Sequence, residues 1–137
     1  MLEINDTMYN VLETFKEDDE KIVCPIYARI KRMRFFTLSV NQYEEGFAAV
    51  TTKDNFIMIQ FGMFKKNYVT YYPLSCLVKY KATPFIAGTY MVKLIFNIDG
   101  KKKKVEFTAA KKVINADLVQ QEENLEGLIS AFKRFTE

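Results

Sequence analysis

Apolar positions along this chain recur every three to four residues near both ends and every second residue in between. At the start, Ile4, Met8, Val11, Leu12 and Phe15 fall on one helical stripe. Asp6 or Thr7 is placed to cap that helix. Glu17-Asp18-Asp19-Glu20 should end it near Phe15 or Lys16, because carboxylates oppose the negative end of a helix dipole. From Ile22 to about Ala110 the period is two. Ile22 to Arg32 alternates Ile26, Ala28 and Ile30 against Tyr27, Arg29 and Lys31, and Phe35 to Val40 can form a further strand before a loop from Asn41 to Gly46. Phe47 to Thr52 and Phe56 to Phe61 flank Lys53-Asp54-Asn55, a turn in which Asp or Asn tolerates positive φ. Lys65-Lys66-Asn67 makes the next turn. Tyr68 to Tyr72 and Ser75 to Lys81 read as a strand interrupted at Pro73, as at an edge or bulge, and Thr83 to Gly88 as a loop.

The clearest local pattern follows. Tyr90, Val92, Leu94, Phe96 and Ile98 form one apolar face, Asp99-Gly100 is a type I′ turn pair, and Val105, Phe107 and Ala109 alternate with Lys104, Glu106 and Thr108. A helix is predicted from about Asp117 to Phe135, with Asp117 and Gln120 as a capping box. Its apolar face holds Leu118, Leu125, Leu128, Ile129, Phe132 and Phe135, interrupted by Gly127, whose cost in a helix interior (about 1 kcal/mol relative to Ala) a close contact with the sheet would explain.

The 137 residues suit one domain, and 49% apolar with 15% aromatic content supports a packed core. No run approaches the ~18 apolar residues of a membrane span, and the acidic start lacks a secretory pattern, so the expected location is cytoplasmic. In that setting Cys24 and Cys76 are expected as buried thiols rather than a disulfide. Charge is strongly segregated: residues 21–116 carry a net +12, residues 1–20 a net −6 and residues 117–137 a net −3. The chain therefore reads as a basic, strand-rich body between two acidic helices.

Six or seven antiparallel strands closed by a terminal amphipathic helix resemble the pleckstrin-homology-like (PH-like) family, with its GRAM and bacterial PH-like branches. Two segments carry the likeness. Gly46 to Ile59 reads as strand, Thr, short turn and apolar strand, and Tyr71-Tyr72-Pro73-Leu74-Ser75-Cys76-Leu77 as an apolar-Pro-Leu lead into the next strand. The resemblance spans roughly Ile22 to Phe135. It implies a mainly β fold: a PH-like antiparallel β-barrel of six or seven strands capped by the C-terminal helix. Residues 1–20 would be an acidic helical extension and 21–137 the barrel, within a single domain. It also implies a binding module rather than an enzyme.

The absence of histidine excludes Ser-His and Cys-His nucleophiles and His-ligated zinc, and there is no Gly-rich phosphate loop. No metal or cofactor is expected. Only the carboxylate clusters Glu44-Glu45 and Asp18-Asp19-Glu20 keep an acid-base enzyme in view. Lys21, followed after ten residues by Arg32-Met33-Arg34-Phe35-Phe36, resembles the phosphate-binding pattern of phosphoinositide-binding PH domains and implies Lys21, Arg32 and Arg34 as anion contacts. Lys101, Lys102, Lys103 and Lys104 form a second basic cluster, either a solvated hairpin tip or a polybasic contact with anionic lipid. The resulting expectation is a non-enzymatic module whose basic sheet surface binds an anionic lipid headgroup or acidic peptide, or self-associates as a homodimer through its helices. The alternatives are a protein-interaction domain without a small ligand, a nucleic-acid-binding β-barrel, which lacks shown aromatic stacking platforms, and the carboxylate-dependent enzyme.

Overall fold

The computed structural model describes residues 2–31, 43–61 and 67–136. Helix α1 (Asn5–Phe15) leads into strands β1 (Ile22–Lys31), β2 (Tyr43–Thr51), β3 (Asn55–Phe61) and β4 (Asn67–Pro73). A short 3-10 turn (Leu74–Cys76) precedes β5 (Leu77–Pro84), and another (Ile86–Gly88) precedes β6 (Thr89–Ile98). Strand β7 (Lys101–Ala110) and helix α2 (Gln121–Thr136) complete the fold. All seven strands pair antiparallel in one sheet, in the order β4-β3-β2-β1-β7-β6-β5. The fold is thus mostly β, with one helix at each end.

The sheet is open, which corrects the expected barrel: β4 and β5 are its two edges. Two features keep them apart. The chain turns a corner after Pro73, where the Leu74 N–H donates to the Asp54 carbonyl (2.8 Å). Helix α2 then fills the space between the halves, packing on β1, β5 and the 3-10 turn between β4 and β5. The inner sheet face and α2 bury one core, in which Phe56 stacks on Phe96 and meets Phe132 edge-on, surrounded by Ile26, Ile30, Leu94, Phe107, Leu125 and Leu128. Among the described residues, pairing between β1 and β7 is confined to Arg29 opposite Thr108 and Ile30 opposite Phe107. Beyond it the buried Gln121 of α2 takes over: its Nε2 donates to the Tyr27 and Ala110 carbonyls (2.9 and 3.1 Å), and its Oε1 accepts the Tyr27 N–H (3.0 Å). A side-chain amide has the same donor and acceptor as a peptide group, so it bridges the two strands where the ladder lapses.

A second core lies on the opposite sheet face. Met8 and Leu12 of α1 pack there on Phe47, Ala49, Ile57 and Ile59, covering the outer side of β1, β2 and β3. The helix ends at Phe15, as its acidic tail predicts. Both turn pairs also behave as read, with Asp54 at φ 59°, Asp99 at φ 53° and Gly100 at φ 81°.

Several local expectations need correcting. Residues 43–46 extend β2 instead of forming a loop, and Lys101 to Lys104 belong to β7 itself. Helix α2 starts at Gln121, so Asp117 does not cap it; neither Asp6 nor Thr7 caps α1. Instead Asp117 Oδ1 accepts the N–H groups of Ile4 (2.7 Å) and Asn5 (2.9 Å), capping α1 from the far end of the chain. Leu118 likewise packs under α1 and not on the α2 stripe. The strand expected from Phe35 to Val40 lies outside the described residues. Cys24 and Cys76 are free thiols, each half-buried rather than buried.

Candidate functional site

Helix α1 covers the outer face of the sheet over β1 to β3, and among the described residues no element packs on that face over β5, β6 and β7. Alternation dictates what the bare face carries. In β6 and β7 the inward positions are Val92, Leu94, Phe96, Val105, Phe107 and Ala109, so the intervening residues point outward. Register then aligns them in rows: Lys31 meets Glu106, which faces Lys93, which faces Lys81, and Lys104 faces Ile95, which faces Lys79. With Arg29 and Lys102, seven cations occupy the outer side of β1, β7, β6 and β5, and Glu106 is the one carboxylate in those four strands.

Glu106 is clamped by Lys104 (2.9 Å) and Lys31 (3.2 Å). Partial burial alone would raise its carboxyl, but hydrogen bonds from the two lysines outweigh that and hold it below the usual carboxylate range. Among the described residues no ion pair engages Arg29, Lys79, Lys81, Lys93 or Lys102.

At one end the basic face runs into a groove of about 550 Å³. Its floor is Met91, Thr108 and Ala110. One lip holds Phe85 and Ile86, before β6; the other holds Val113 and Ile114, after β7. Arg29 and Lys112 supply the charge beside it. The lips are tied down by backbone hydrogen bonds from the Lys111 N–H to the Gly88 carbonyl (3.0 Å) and from the Phe85 N–H to the Thr89 carbonyl (2.7 Å). Tyr27 separates the groove from the α1-covered face: its ring packs edge-on against Phe47, and its hydroxyl donates to Glu45. Burial first, then the Glu45 bond and charge, push its phenol well above the usual range, so it stays neutral.

Of the residues singled out from sequence, Lys102 and Lys104 lie on this face. Lys101 and Lys103 are also exposed but alternate to the other side of β7. Lys21 is elsewhere: its backbone pairs with Thr52 at the start of β1. The ten residues of β1 put roughly 30 Å between it and the lysine cluster. Lys21 and Lys101 to Lys104 therefore do not converge on one ligand. Arg32 and Arg34 lie outside the described residues. The strongest part of the face, Lys79, Lys81 and Lys93, was missed by motif matching. For Lys81 and Lys93 the signal is positional, since each sits on a polar position of an alternating strand with its apolar neighbours turned inward; Lys79 follows an irregularity in β5 beside the exposed Val78 and leaves no such signal.

The acidic clusters are engaged in structural contacts. Glu20 is buried and accepts from the Glu17 N–H (3.1 Å) and Asn55 Nδ2 (3.2 Å), and Asp19 pairs with Lys53. Glu44 accepts from Gln60 Nε2 (3.3 Å) on the opposite side of β2 from Glu45. Burial, helped by Glu123, pushes the Cys24 thiol up and keeps it protonated. Among the described residues no three His, Cys, Asp or Glu side chains gather as metal ligands, and no helix is long and apolar enough to cross a membrane. Tyr27, Tyr71 and Tyr80 are all half-buried against the cores rather than splayed as stacking platforms.

No protein-family model matches the chain, and no curated protein sequence matches it. Among solved structures, the hSac2 domain of the human phosphoinositide phosphatase Sac2 superposes with a TM-score of 0.57. The match covers 96% of this chain and 78% of that one at 12% identity. At that identity the likeness defines a shared fold.

Proposed function

We propose that this chain is a non-enzymatic binding module of PH-like type that docks on anionic membrane surfaces through the bare face of β5, β6, β7 and β1. The observation that carries this reading is the spread of Arg29, Lys31, Lys79, Lys81, Lys93, Lys102 and Lys104 over four strands around the single carboxylate of Glu106. Strands lie about 4.8 Å apart, so these charges span roughly 15 Å of a sheet instead of closing on one phosphate. Distributed cations match a surface of distributed charge, and each is worth about 1 kcal/mol near an anionic leaflet. The antiparallel strands followed by a C-terminal helix support the PH-like part of the reading. The fold neighbour comes from a phosphoinositide phosphatase, and phosphoinositides are anionic lipids, which supports the choice of lipid.

Co-sedimentation of the full chain with vesicles tests the reading. Vesicles of equal parts phosphatidylserine and phosphatidylcholine should bind it, and pure phosphatidylcholine should bind it far less. Replacing Lys81, Lys93, Lys102 and Lys104 with Gln should weaken association by more than roughly a hundredfold, at about 1 kcal/mol per lysine. Indifference to vesicle charge would overturn the lipid reading and favour an acidic polypeptide partner.

A further inference from the structure

The groove at the end of the basic face has lips that water does not favour. Phe85 is 56% exposed, Ile86 72% and Ile114 84%, although a loop between polar strands has no need of large apolar tips. All three border one groove, and that groove opens on the same outer face that carries the cations. Lys111 and Lys112 immediately precede Val113 and Ile114, and Arg29 and Lys112 line the groove that the tips border. Apolar tips flanked by lysines suit the boundary between headgroups and acyl chains, where each part meets its own solvent.

We infer that Phe85 and Ile86 on one lip and Ile114 on the other insert into the acyl region of an anionic bilayer while the lysine rows engage its headgroups. This rests on the lipid reading above and adds depth and orientation to it: the outer face of β5 to β7 faces the membrane, and α2, packed on the inner face, points away from it. A bilayer fits better than a lone apolar ligand. Phe85, Ile86 and Ile114 protrude instead of lining an enclosed cavity, and the charges beside them continue along the sheet well beyond any small molecule. The lips are also held in place, because the backbone bonds from Lys111 to Gly88 and from Leu2 to Asn115 fix both loops.

The chain contains no Trp, so Ile86→Trp provides a single emission reporter in the full chain. With vesicles of equal parts phosphatidylserine and phosphatidylcholine, its emission should move to shorter wavelength and be quenched by brominated acyl chains. A second variant, Ile86→Ser with Ile114→Ser, should bind the same vesicles at least roughly tenfold more weakly at physiological salt and melt like the parent, because both side chains are exposed. If vesicles bind but the Trp emission stays at its value in water and the Ser variant binds like the parent, insertion is overturned and the basic-face reading stands. If emission shifts and quenching survive the four Lys→Gln changes undiminished, insertion is upheld and the basic-face reading fails. Absence of any vesicle association would overturn both.

Discussion

Asp117 lies four residues ahead of α2, yet its carboxylate serves α1, accepting two N–H groups at 2.7 and 2.9 Å. The first turn of a helix leaves backbone donors unpaired, and Ile4 at the cap position offers no side-chain acceptor. The hydrogen bonds from Asn5 and Ile4 hold the Asp117 carboxyl below its ordinary 3.8. A carboxyl depressed by folding stabilises the native state above its unfolded value, and that contribution is lost as pH falls through the folded value. Asp117→Ala should therefore melt below the parent at neutral pH, and the gap should persist down to about pH 4 and close in stronger acid. Asp117→Asn keeps an acceptor oxygen without the charge, so its melting deficit should be smaller and should not track that titration. Melting temperature against pH for the three proteins checks the assignment. A gap that stays constant to the acid limit would mean that Asp117 acts through packing alone. The sequence pointed to this residue as a cap but to the wrong helix, because capping motifs are read between neighbours and this one spans more than a hundred residues.

Elements were legible wherever one period held over a whole segment. The β6–β7 hairpin, the β2–β3 turn and the two helix stripes follow from alternation, φ-tolerant turn residues and spacing, all of which are local. What failed depends on distant partners. The open sheet is set by the corner at Pro73 and by where α2 comes to rest, and neither leaves a periodic trace. The bare basic face is visible only once strand register is known, and the apolar lips stand out only once their loops are seen to lack a covering element. Gly127 is a case in which a local oddity correctly signalled a long-range contact. A Cβ built there would sit 2.5 Å from Cys24 Sγ and 3.8 Å from Cys24 Cβ. Gly127→Ala alone gains about 1 kcal/mol of helix propensity but must displace that sulfur, at a cost of about 1–3 kcal/mol, so it should destabilise. In a Cys24→Ala background the 3.8 Å neighbour is an ordinary contact, and the same change should be neutral or stabilising. Chemical denaturation of the four proteins in that cycle gives the coupling; additive effects would show that the glycine is there for another reason.

For the whole molecule, the arrangement of charge matters more than its total of +3. Acidic residues 1–20 settle over and beside the first half of the sheet, with Asp19 on Lys53, and the acidic start of α2 lies against β1. Among the described residues neither packs on the outer side of β5 to β7, so the basic body is compensated less there than on the other half. Both helix stripes are used on the chain's own sheet. Glu106 is the one carboxylate within β5, β6 and β7, and its effect on binding has a definite sign. Held ionised by Lys104 and Lys31, it cancels part of the field that a negatively charged membrane would meet. Glu106→Gln should therefore increase association with phosphatidylserine-containing vesicles by about fivefold at low salt, one charge being worth about 1 kcal/mol near the surface. The gain should shrink between low and physiological salt as screening shortens to about 8 Å. It should be absent on phosphatidylcholine alone. The same substitution should cost some stability, since it removes two ion pairs that are only partly exposed on the Glu106 side. Tighter binding from a slightly less stable protein is an outcome that a purely structural role for these lysines does not produce. If Glu106→Gln instead weakens vesicle association in step with stability, the lysine rows serve the sheet and not a membrane.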